Sequence, residues 1–198
     1  MKNTILTLAT VGMAFWGLTL LRADPPAKLV ETMNTPDSNT TNKTEVADLG
    51  GGCFWCMEAV FERLPGVISV TSGFAGGTTE NPTYQDVCTE TTDHAEVTEI
   101  EFDPAKISYA KLLEVFWQAH DPTTLNRQGP DVGAQYRSAI FFHTPEQQAA
   151  AQASKEKMQA GYKNRIVTEI TPTSEFYRAE DYHQQYLEKR GLAHCSIR

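Results

Sequence analysis

Strand-like and helix-like patterns alternate along the chain from Val46 onward, and this alternation restricts its fold more than any other feature. Short runs rich in β-branched and aromatic residues predict strands, and longer runs with apolar residues three or four positions apart predict helices. Such a succession is typical of an α/β (α+β) two-layer domain, in which helices pack on a mixed sheet. The pattern does not determine the order of the strands.

The pattern predicts five strands and four helices. The predicted strands cover residues 46–49, 67–71, 94–104, 137–143 and 165–172. One helix begins near Cys53, a second has Ser108 as its N-cap, and a third begins at Thr144 with Gln147 as its capping-box partner. A short final helix is predicted over residues 179–191.

The N-terminal region is predicted to lie outside this domain. An almost unbroken apolar run extends from Ile5 to Leu21, so residues 1–23 are interpreted as a signal peptide or an N-terminal membrane anchor. Residues 24–45 are rich in Pro, Thr, Asn, Asp and Ser, which predicts a flexible linker. An export signal is the preferred interpretation, which implies a periplasmic or extracytoplasmic protein. If the N-terminal segment is not cleaved, it would anchor the protein to the membrane. The catalytic domain would then cover residues 46–198, with a mobile C-terminal tail.

Charge and cysteine content narrow the class of protein. The formal net charge is -8, and no basic stripe is present, which argues against a nucleic-acid partner. The four cysteines are Cys53, Cys56, Cys88 and Cys195. A structural zinc site usually needs two close pairs of ligands. Because only Cys53 and Cys56 are close in sequence, we expect no metal.

Cys53 is the strongest candidate for a reactive residue. It lies where the glycine turn Gly50–Gly52 meets a predicted helix start, and backbone N–H groups there lack partners within the helix. These groups and the helix dipole favour a thiolate. We therefore predict a reactive Cys53, the alternative being a buried structural cysteine.

The other three thiols have different predicted roles. Cys56 follows Cys53 by three residues and could form a disulfide with it, as in thioredoxin-like dithiols. Cys88 follows a valine in an apolar context and is predicted to be buried and inert. Cys195 lies near the end of the chain, where a mobile tail could bring it to a sulfenic acid as a resolving thiol. The alternative for Cys195 is an incidental terminal cysteine.

Glu96 is a candidate acid. Side chains alternate between the two faces of a strand, so Glu96 shares a face with Ile100 and Phe102. This pattern predicts a partly buried carboxyl whose pKa is raised by desolvation, and a carboxyl that is neutral near pH 7 can donate a proton. The alternative is a glutamate at the end of a strand, in water.

Polar loops supply further candidates. Tyr84 lies in the turn NPTY, and Asp131 and Tyr136 lie in a long loop before a predicted strand. Tyrosine hydroxyls can donate hydrogen bonds to a polarised oxygen. Each tyrosine could equally be an ordinary packed side chain with its hydroxyl in water.

Six segments between Val46 and Leu187 resemble the peptide methionine sulfoxide reductase A family. They are GGCFWCMEAVF, GFAGG, NPTYQDVC, HAEV, FWQAHDPTTLNRQGPDVGAQYRSAIF and AEDYHQQY. The resemblance implies a two-layer domain related to the ferredoxin-like arrangement. It also implies reduction of the S epimer of methionine sulfoxide, free or within proteins, without a metal or bound organic cofactor.

The resemblance also implies a role for each candidate residue. Cys53 would attack the sulfoxide sulfur, and Glu96 would protonate the oxygen. The remaining assignments are Phe54 and Trp55 for the apolar pocket, Tyr84 and Tyr136 for hydrogen bonds to the oxygen, and Asp131 for ordering the site. The resulting sulfenic acid would condense with a second thiol, and thioredoxin or a similar dithiol would reduce the disulfide. We expect a monomer.

One departure from the family pattern affects the resolving step. Cys56 stands where the family often has glycine, so Cys56 could resolve directly, Cys195 could resolve first, or the two could act in relay. Cys195 is preferred, with Cys56 as a substitute. Two other functions are considered: a thiol–disulfide oxidoreductase using Cys53 and Cys56, and a membrane-tethered binding module with structural cysteines.

Overall fold

The computed structural model of the protein describes residues 44–192. The predicted signal or anchor, the predicted linker up to residue 43, and Cys195 therefore lie outside the described residues. Within residues 44–192, every helix is too short or too polar to cross a membrane.

A six-stranded mixed sheet forms the centre of the described part of the chain. Its strands are β1 (Glu45–Gly51), β2 (Val67–Ala75), β3 (Ala95–Phe102), β6 (Ser138–Phe142), β7 (Glu169–Pro172) and β8 (Tyr177–Arg178). Their order is β7-β6-β1-β3-β2-β8. The β6–β7 pair is parallel and the other pairs are antiparallel. A separate hairpin joins β4 (Arg127–Gln128) to β5 (Asp131–Val132).

Four α-helices and two short 3₁₀ turns complete the described elements. The helices are α1 (Phe54–Phe61), α2 (Tyr84–Cys88), α3 (Tyr109–Ala119) and α4 (Pro145–Gln159), and the 3₁₀ turns are Ala134–Tyr136 and Glu188–Arg190. The predicted fold class, helices packed on a mixed sheet, is confirmed.

The main hydrophobic core lies between one face of the sheet and α1, α3 and α4. Alternate residues of the strands, such as Leu49, Ile100 and Ile140, meet helical side chains that include Phe61 and Phe116. Each fully buried side chain of this size contributes roughly 1.5–3 kcal/mol through removal of apolar surface from water. A smaller apolar cluster covers the opposite face of the sheet.

The predicted helix starts are confirmed by their caps. Ser108 accepts a hydrogen bond from the backbone N–H of Lys111, and Thr144 accepts one from that of Gln147. In a complete capping box, the Gln147 side chain would accept a hydrogen bond from the backbone N–H of Thr144. Here it accepts from the N–H of the preceding residue, His143, instead. The sequence pattern therefore fixed where α3 and α4 begin.

The predicted final helix over residues 179–191 is wrong. This segment forms successive turns, with a 3₁₀ turn only at Glu188–Arg190. Gln185 has a φ of 51°, which is incompatible with a right-handed helix. The backbone N–H groups of Gln185 and Tyr186 interact with the carboxyl of Glu58 instead. A buried side chain of α1 thus offers these amides an alternative to helical hydrogen bonds.

Candidate active site

Cys53 is the N-cap residue of α1 and follows the three glycines 50–52, of which the first two end β1 and the third forms the turn. The preceding Gly52 has a φ of 91°, and a Cβ atom there would lie 2.5 Å from Cγ of Gln128. Both the backbone conformation and this close approach require glycine. The turn thereby places Cys53 at the first turn of α1, as the sequence predicted.

The first three amides of α1 are divided between an acid and the thiol. The N–H of Phe54 donates to Oε2 of Glu96 at 3.0 Å. The N–H groups of Trp55 and Cys56 face the sulfur of Cys53 and act to lower its pKa, although the Cys53 side chain closes no capping hydrogen bond. The acid and the thiol therefore lie at the same helix end.

The prediction of a resting thiolate at Cys53 is wrong. Burial, and next the charge that Glu96 carries once it ionises at higher pH, raise the pKa of the Cys53 thiol to about 12. These effects outweigh the helix amides, because desolvation disfavours the charged form more than partial charges at the helix end favour it. Cys53 is thus a neutral thiol in the free protein.

The predicted burial of Glu96 is confirmed. Its side chain lies at the start of β3 and is only 2% exposed. Burial first, and the charge of Asp131 further, raise the pKa of the Glu96 carboxyl to about 8, against the lowering effect of the Phe54 amide. Among the described residues, none forms an ion pair with Glu96. The carboxyl of Glu96 is therefore mostly neutral near pH 7, which is the form that can donate a proton.

Both predicted tyrosines lie close to this acid and keep their hydroxyl protons. Burial is the largest cause of the raised pKa of Tyr136, and the charges of Glu96, Asp131 and Cys53 raise it further. Burial also raises the pKa of Tyr84, whose hydroxyl interacts with the Cys88 side chain. The structure thus brings Cys53, Glu96, Tyr84, Tyr136 and Asp131 to one place.

An aromatic wall lies beside the thiol. Phe54 is buried against Phe74, with ring centroids 5.7 Å apart. The indole N–H of Trp55 donates to Nδ1 of His183 at 3.0 Å, and the ring of Trp55 stacks on Tyr186 with centroids 3.7 Å apart. The wall is therefore completed by the segment after β8.

His183 and Tyr186 had no predicted role. The signal for them was the segment AEDYHQQY, which contributed to the family resemblance without suggesting a function. Their place beside Trp55 depends on the turns of residues 179–191, where a helix was expected.

The thiols differ in their state. Cys53 and Cys88 are free, whereas Cys56 takes part in a disulfide. Cys53 and Cys56 are therefore not bonded to each other. The prediction of a buried Cys88 is wrong, since it is exposed. Cys88 is the last residue of α2, and the buried position of this short helix is Val87.

The arrangement favours chemistry by side chains. Within residues 44–192, no group of three or more His, Cys, Asp or Glu side chains is placed to hold a metal ion. A thiol, a neutral buried carboxyl and two phenol hydroxyls share one site beside an apolar wall. Such a site suits attack by sulfur on an atom whose oxygen leaves as it is protonated. It defines the class of protein as a cysteine-dependent oxidoreductase.

Comparison with known proteins identifies the particular family. The family model for peptide methionine sulfoxide reductase matches residues 45–198. The chain belongs to the peptide methionine sulfoxide reductase family. It is 59% identical over 153 residues to the peptide methionine sulfoxide reductase MsrA of Methanoculleus marisnigri, covering 76% of this chain and 93% of the relative. It is 60% identical over 155 residues to the MsrA of Haloquadratum walsbyi, covering 78% and 89%.

Solved structures agree in fold. Methionine sulfoxide reductase A of Corynebacterium diphtheriae is 43% identical, with a TM-score of 0.70, over 77% of this chain and 78% of that one. Reduced Mxr1 from Saccharomyces cerevisiae is 35% identical, with a TM-score of 0.74, over 77% and 89%. Mxr1 in complex with Trx2 is 27% identical, with a TM-score of 0.54, over 74% and 86%.

Proposed function

We propose that the protein reduces the S epimer of methionine sulfoxide, free or within oxidised proteins, by attack of Cys53 on the sulfoxide sulfur. The observation that carries this proposal is the neutral, buried carboxyl of Glu96 at the same helix end as the Cys53 thiol. A sulfoxide oxygen leaves poorly until it gains a proton, so the acid and the nucleophile must act on the same group.

The first step transfers the sulfoxide oxygen to Cys53. Glu96 gives its proton to the oxygen, which leaves a positive charge on the substrate sulfur. This charge lies next to the Cys53 thiol and favours loss of the thiol proton, opposing the burial that keeps the thiol neutral. The Cys53 sulfur forms a bond to the substrate sulfur, and the hydroxyl group then passes from that sulfur to the Cys53 sulfur as the S–S bond breaks. Methionine leaves with the electron pair of that bond, and Cys53 becomes a sulfenic acid. The thiol proton replaces the one that Glu96 gave up, so the step is balanced.

The surrounding side chains select and orient the substrate. Tyr84 and Tyr136 keep their protons and would donate hydrogen bonds to the sulfoxide oxygen. Phe54 and Trp55 would enclose the methyl group on the apolar side. Tyrosine hydroxyls on one side and an apolar wall on the other would distinguish the two epimers. In the R epimer the oxygen and the methyl group exchange places, which would leave the tyrosine hydroxyls without an acceptor. Asp131 acts through its charge on Glu96.

A second thiol then releases water from the sulfenic acid and forms an intramolecular disulfide. We expect Cys195 to resolve first, with Cys56 as a substitute. The position of Cys56 on α1, three residues after Cys53, supports it as a participant, and so does its presence in a disulfide. A thioredoxin-like dithiol would restore the thiols by exchange, and the structure of Mxr1 with Trx2 supports this class of reductant.

The test is turnover of each epimer of a methionine sulfoxide peptide with dithiothreitol as reductant. Wild-type protein and the Cys88→Ser variant should reduce the S epimer, and Cys53→Ser should reduce neither. Reduction of insulin disulfides without sulfoxide turnover would instead support a thiol–disulfide oxidoreductase. Equal turnover of both epimers would contradict the proposed pocket.

The resolving thiol is identified by a single turnover without reductant, followed by disulfide mapping. Cys195→Ser should accumulate sulfenic acid at Cys53, trapped by dimedone, or a Cys53–Cys56 disulfide. Full disulfide formation through Cys56 at an unchanged rate would contradict Cys195 as the first resolving thiol.

We also propose that residues 1–23 direct export, with a tether to the membrane if they are not cleaved, and that the protein is a monomer. Lys2 precedes the apolar run from Ile5 to Leu21, and Leu21-Arg22-Ala23 is a usable cleavage site, which supports the export signal. Mass spectrometry of the mature protein tests cleavage near Ala23, and light scattering tests the monomer. A full-length mass in a soluble cytosolic fraction would contradict export.

A further inference from the structure

A buried histidine links the aromatic wall to a carboxyl that has no assigned role. His183 is 1% exposed and packs against Phe54, Trp55 and Tyr84, with ring centroids 5.2, 5.6 and 4.4 Å away. Its Nδ1 accepts the indole N–H of Trp55 at 3.0 Å. An indole N–H can only donate, so Nδ1 of His183 must be unprotonated.

This hydrogen bond fixes the tautomer of the neutral imidazole. With Nδ1 unprotonated, the single ring proton must lie on Nε2. Nε2 is buried without a hydrogen-bond partner, and the atom opposite it is Oε2 of Glu180, 3.8 Å away. That oxygen is also buried without a partner. The distance exceeds that of a hydrogen bond, but the carboxylate still favours a proton on the nitrogen that faces it.

The other oxygen of Glu180 contacts the opposite side of the pocket. Oε1 of Glu180 accepts a hydrogen bond from the backbone N–H of Tyr84 at 3.1 Å. This hydrogen bond orients the carboxylate so that Oε2 faces His183. One carboxylate therefore touches both the element that carries Tyr84 and the histidine that holds Trp55.

We propose that Glu180 is a positioning residue that keeps His183 in its Nε2–H tautomer and so holds the Trp55 indole in place as a wall of the substrate pocket. The proposal rests on the function proposed above for the Trp55 wall. In the opposite tautomer, Nδ1–H would meet the indole N–H, and Trp55 would lose its acceptor. Glu180 acts through His183 and does not touch the substrate.

Glu180→Gln is a sharp test because an amide offers one acceptor and one donor. Its oxygen can replace Oε1 as the acceptor for Tyr84, which leaves the NH₂ group facing Nε2 of His183. That donor would require Nε2 to accept, which moves the ring proton to Nδ1 and opposes the Trp55 hydrogen bond. Asp181→Asn is the matched control, since it also converts a carboxylate to an amide. Asp181 is the next residue in sequence, and its side chain is 90% exposed.

The first readout does not depend on activity. In ¹⁵N-labelled full-length protein, the ring-nitrogen pattern of His183 should show Nε2–H in wild type and Asp181→Asn, and a shift towards Nδ1–H in Glu180→Gln. The indole N–H signal of Trp55, assigned with Trp55→Phe among three tryptophans, should shift and exchange faster with water in Glu180→Gln. An unchanged tautomer and indole signal in Glu180→Gln, or an equal change in Asp181→Asn, would overturn the proposal.

The second readout is the division between KM and kcat. Loss of one buried hydrogen bond at the wall should raise KM for the S-epimer peptide about five- to tenfold with a smaller change in kcat, because the wall binds substrate and transition state alike. In a His183→Asn background, whose side-chain oxygen can accept from Trp55 in any state, Glu180→Gln should have no further effect on KM. An undiminished effect there would overturn the proposal. If sulfoxide turnover failed altogether, the tautomer measurement would still decide the role of Glu180.

Discussion

Two buried carboxyls of the same sheet, Glu96 on β3 and Asp48 on β1, differ in the partners that surround them. Asp48 is 1% exposed and has an ion-pair partner, since Nε2 of His143 lies 3.0 Å from its Oδ2. Thr173 donates a further hydrogen bond to the same oxygen at 3.1 Å. Glu96 is as deeply buried but receives one amide hydrogen bond and no ion pair within the described residues.

The difference shows that burial alone does not make a proton donor. A buried carboxyl with a cationic partner stabilises the fold, whereas one without such a partner keeps its proton and can give it away. We therefore expect Glu96 to act in the chemistry and Asp48 to contribute to the stability of the fold. Variants of the two carboxyls and the pH dependence of rate and stability separate these two roles.

The largest expected effect is on the rate of Glu96→Gln. Loss of the proton donor should lower kcat/KM for the S epimer by about 10²–10⁴-fold, the usual contribution of general acid catalysis. The free energy of unfolding should hold or rise at pH 7, because a carboxyl that resists ionisation has been removed from the interior. Steady-state kinetics and urea unfolding measure both quantities. A clear loss of stability with little loss of rate would assign Glu96 to structure.

The next largest effect is the pH dependence of kcat/KM in the wild-type protein. Glu96 must hold its proton to act, and its pKa lies at about 8. Therefore kcat/KM should fall about tenfold per pH unit above pH 8. Glu96→Gln should lack this decline. A wild-type profile that stays flat through pH 9 would show that another group donates the proton.

Asp48→Ala should produce the reverse result of Glu96→Gln. It removes the acceptor of His143 and leaves Thr173 only its second acceptor, the backbone oxygen of Ser174. This loss should lower the free energy of unfolding by about 1–3 kcal/mol. Because Asp48 lies on the face of the sheet opposite the main core and away from Cys53, kcat/KM should change by less than about twofold. Chemical denaturation and kinetics on the same preparation test both parts. A large loss of rate in folded protein would break the comparison.

The smallest effect concerns the charge of His143. Its hydrogen bond to Asp48 is the main cause of its raised pKa, and burial partly opposes it. Because the folded pKa is above the unfolded value, the contribution is fully present below the unfolded pKa and is lost as pH rises through the folded pKa. Wild-type protein should therefore lose about 0.5–1 kcal/mol over this interval relative to His143→Gln. Parallel pH dependences of the two unfolding free energies would contradict the charged pair.

Sequence patterns correctly predicted those features of the structure that depend on residues close together in the chain. The parity of β3 predicted the buried face of Glu96, and cap residues predicted the starts of α3 and α4. The glycine turn before Cys53 predicted the helix start at the thiol.

The predictions were wrong where residues distant in sequence determine the pKa of a group or the backbone conformation. The pKa of Cys53 depends on burial and on Glu96, which the helix-end argument did not weigh. Residues 179–191 have a helical pattern, but Glu58 binds two of their amides and Gln185 adopts a positive φ. The same turns bring His183 to Trp55, a contact between residues 128 positions apart in sequence. No local pattern signals it.

The division of the first α1 amides between Glu96 and Cys53 has a consequence for motion. Displacement of α1 along or about its axis carries the nucleophile with it, and the Phe54–Glu96 hydrogen bond draws the proton donor in the same direction. Motion of α1 as a rigid body therefore changes the distance between the thiol and the carboxyl little. This distance changes if that hydrogen bond opens or if the side chain of Glu96 or Cys53 rotates, so one amide hydrogen bond limits the relative motion of the proton donor and the nucleophile.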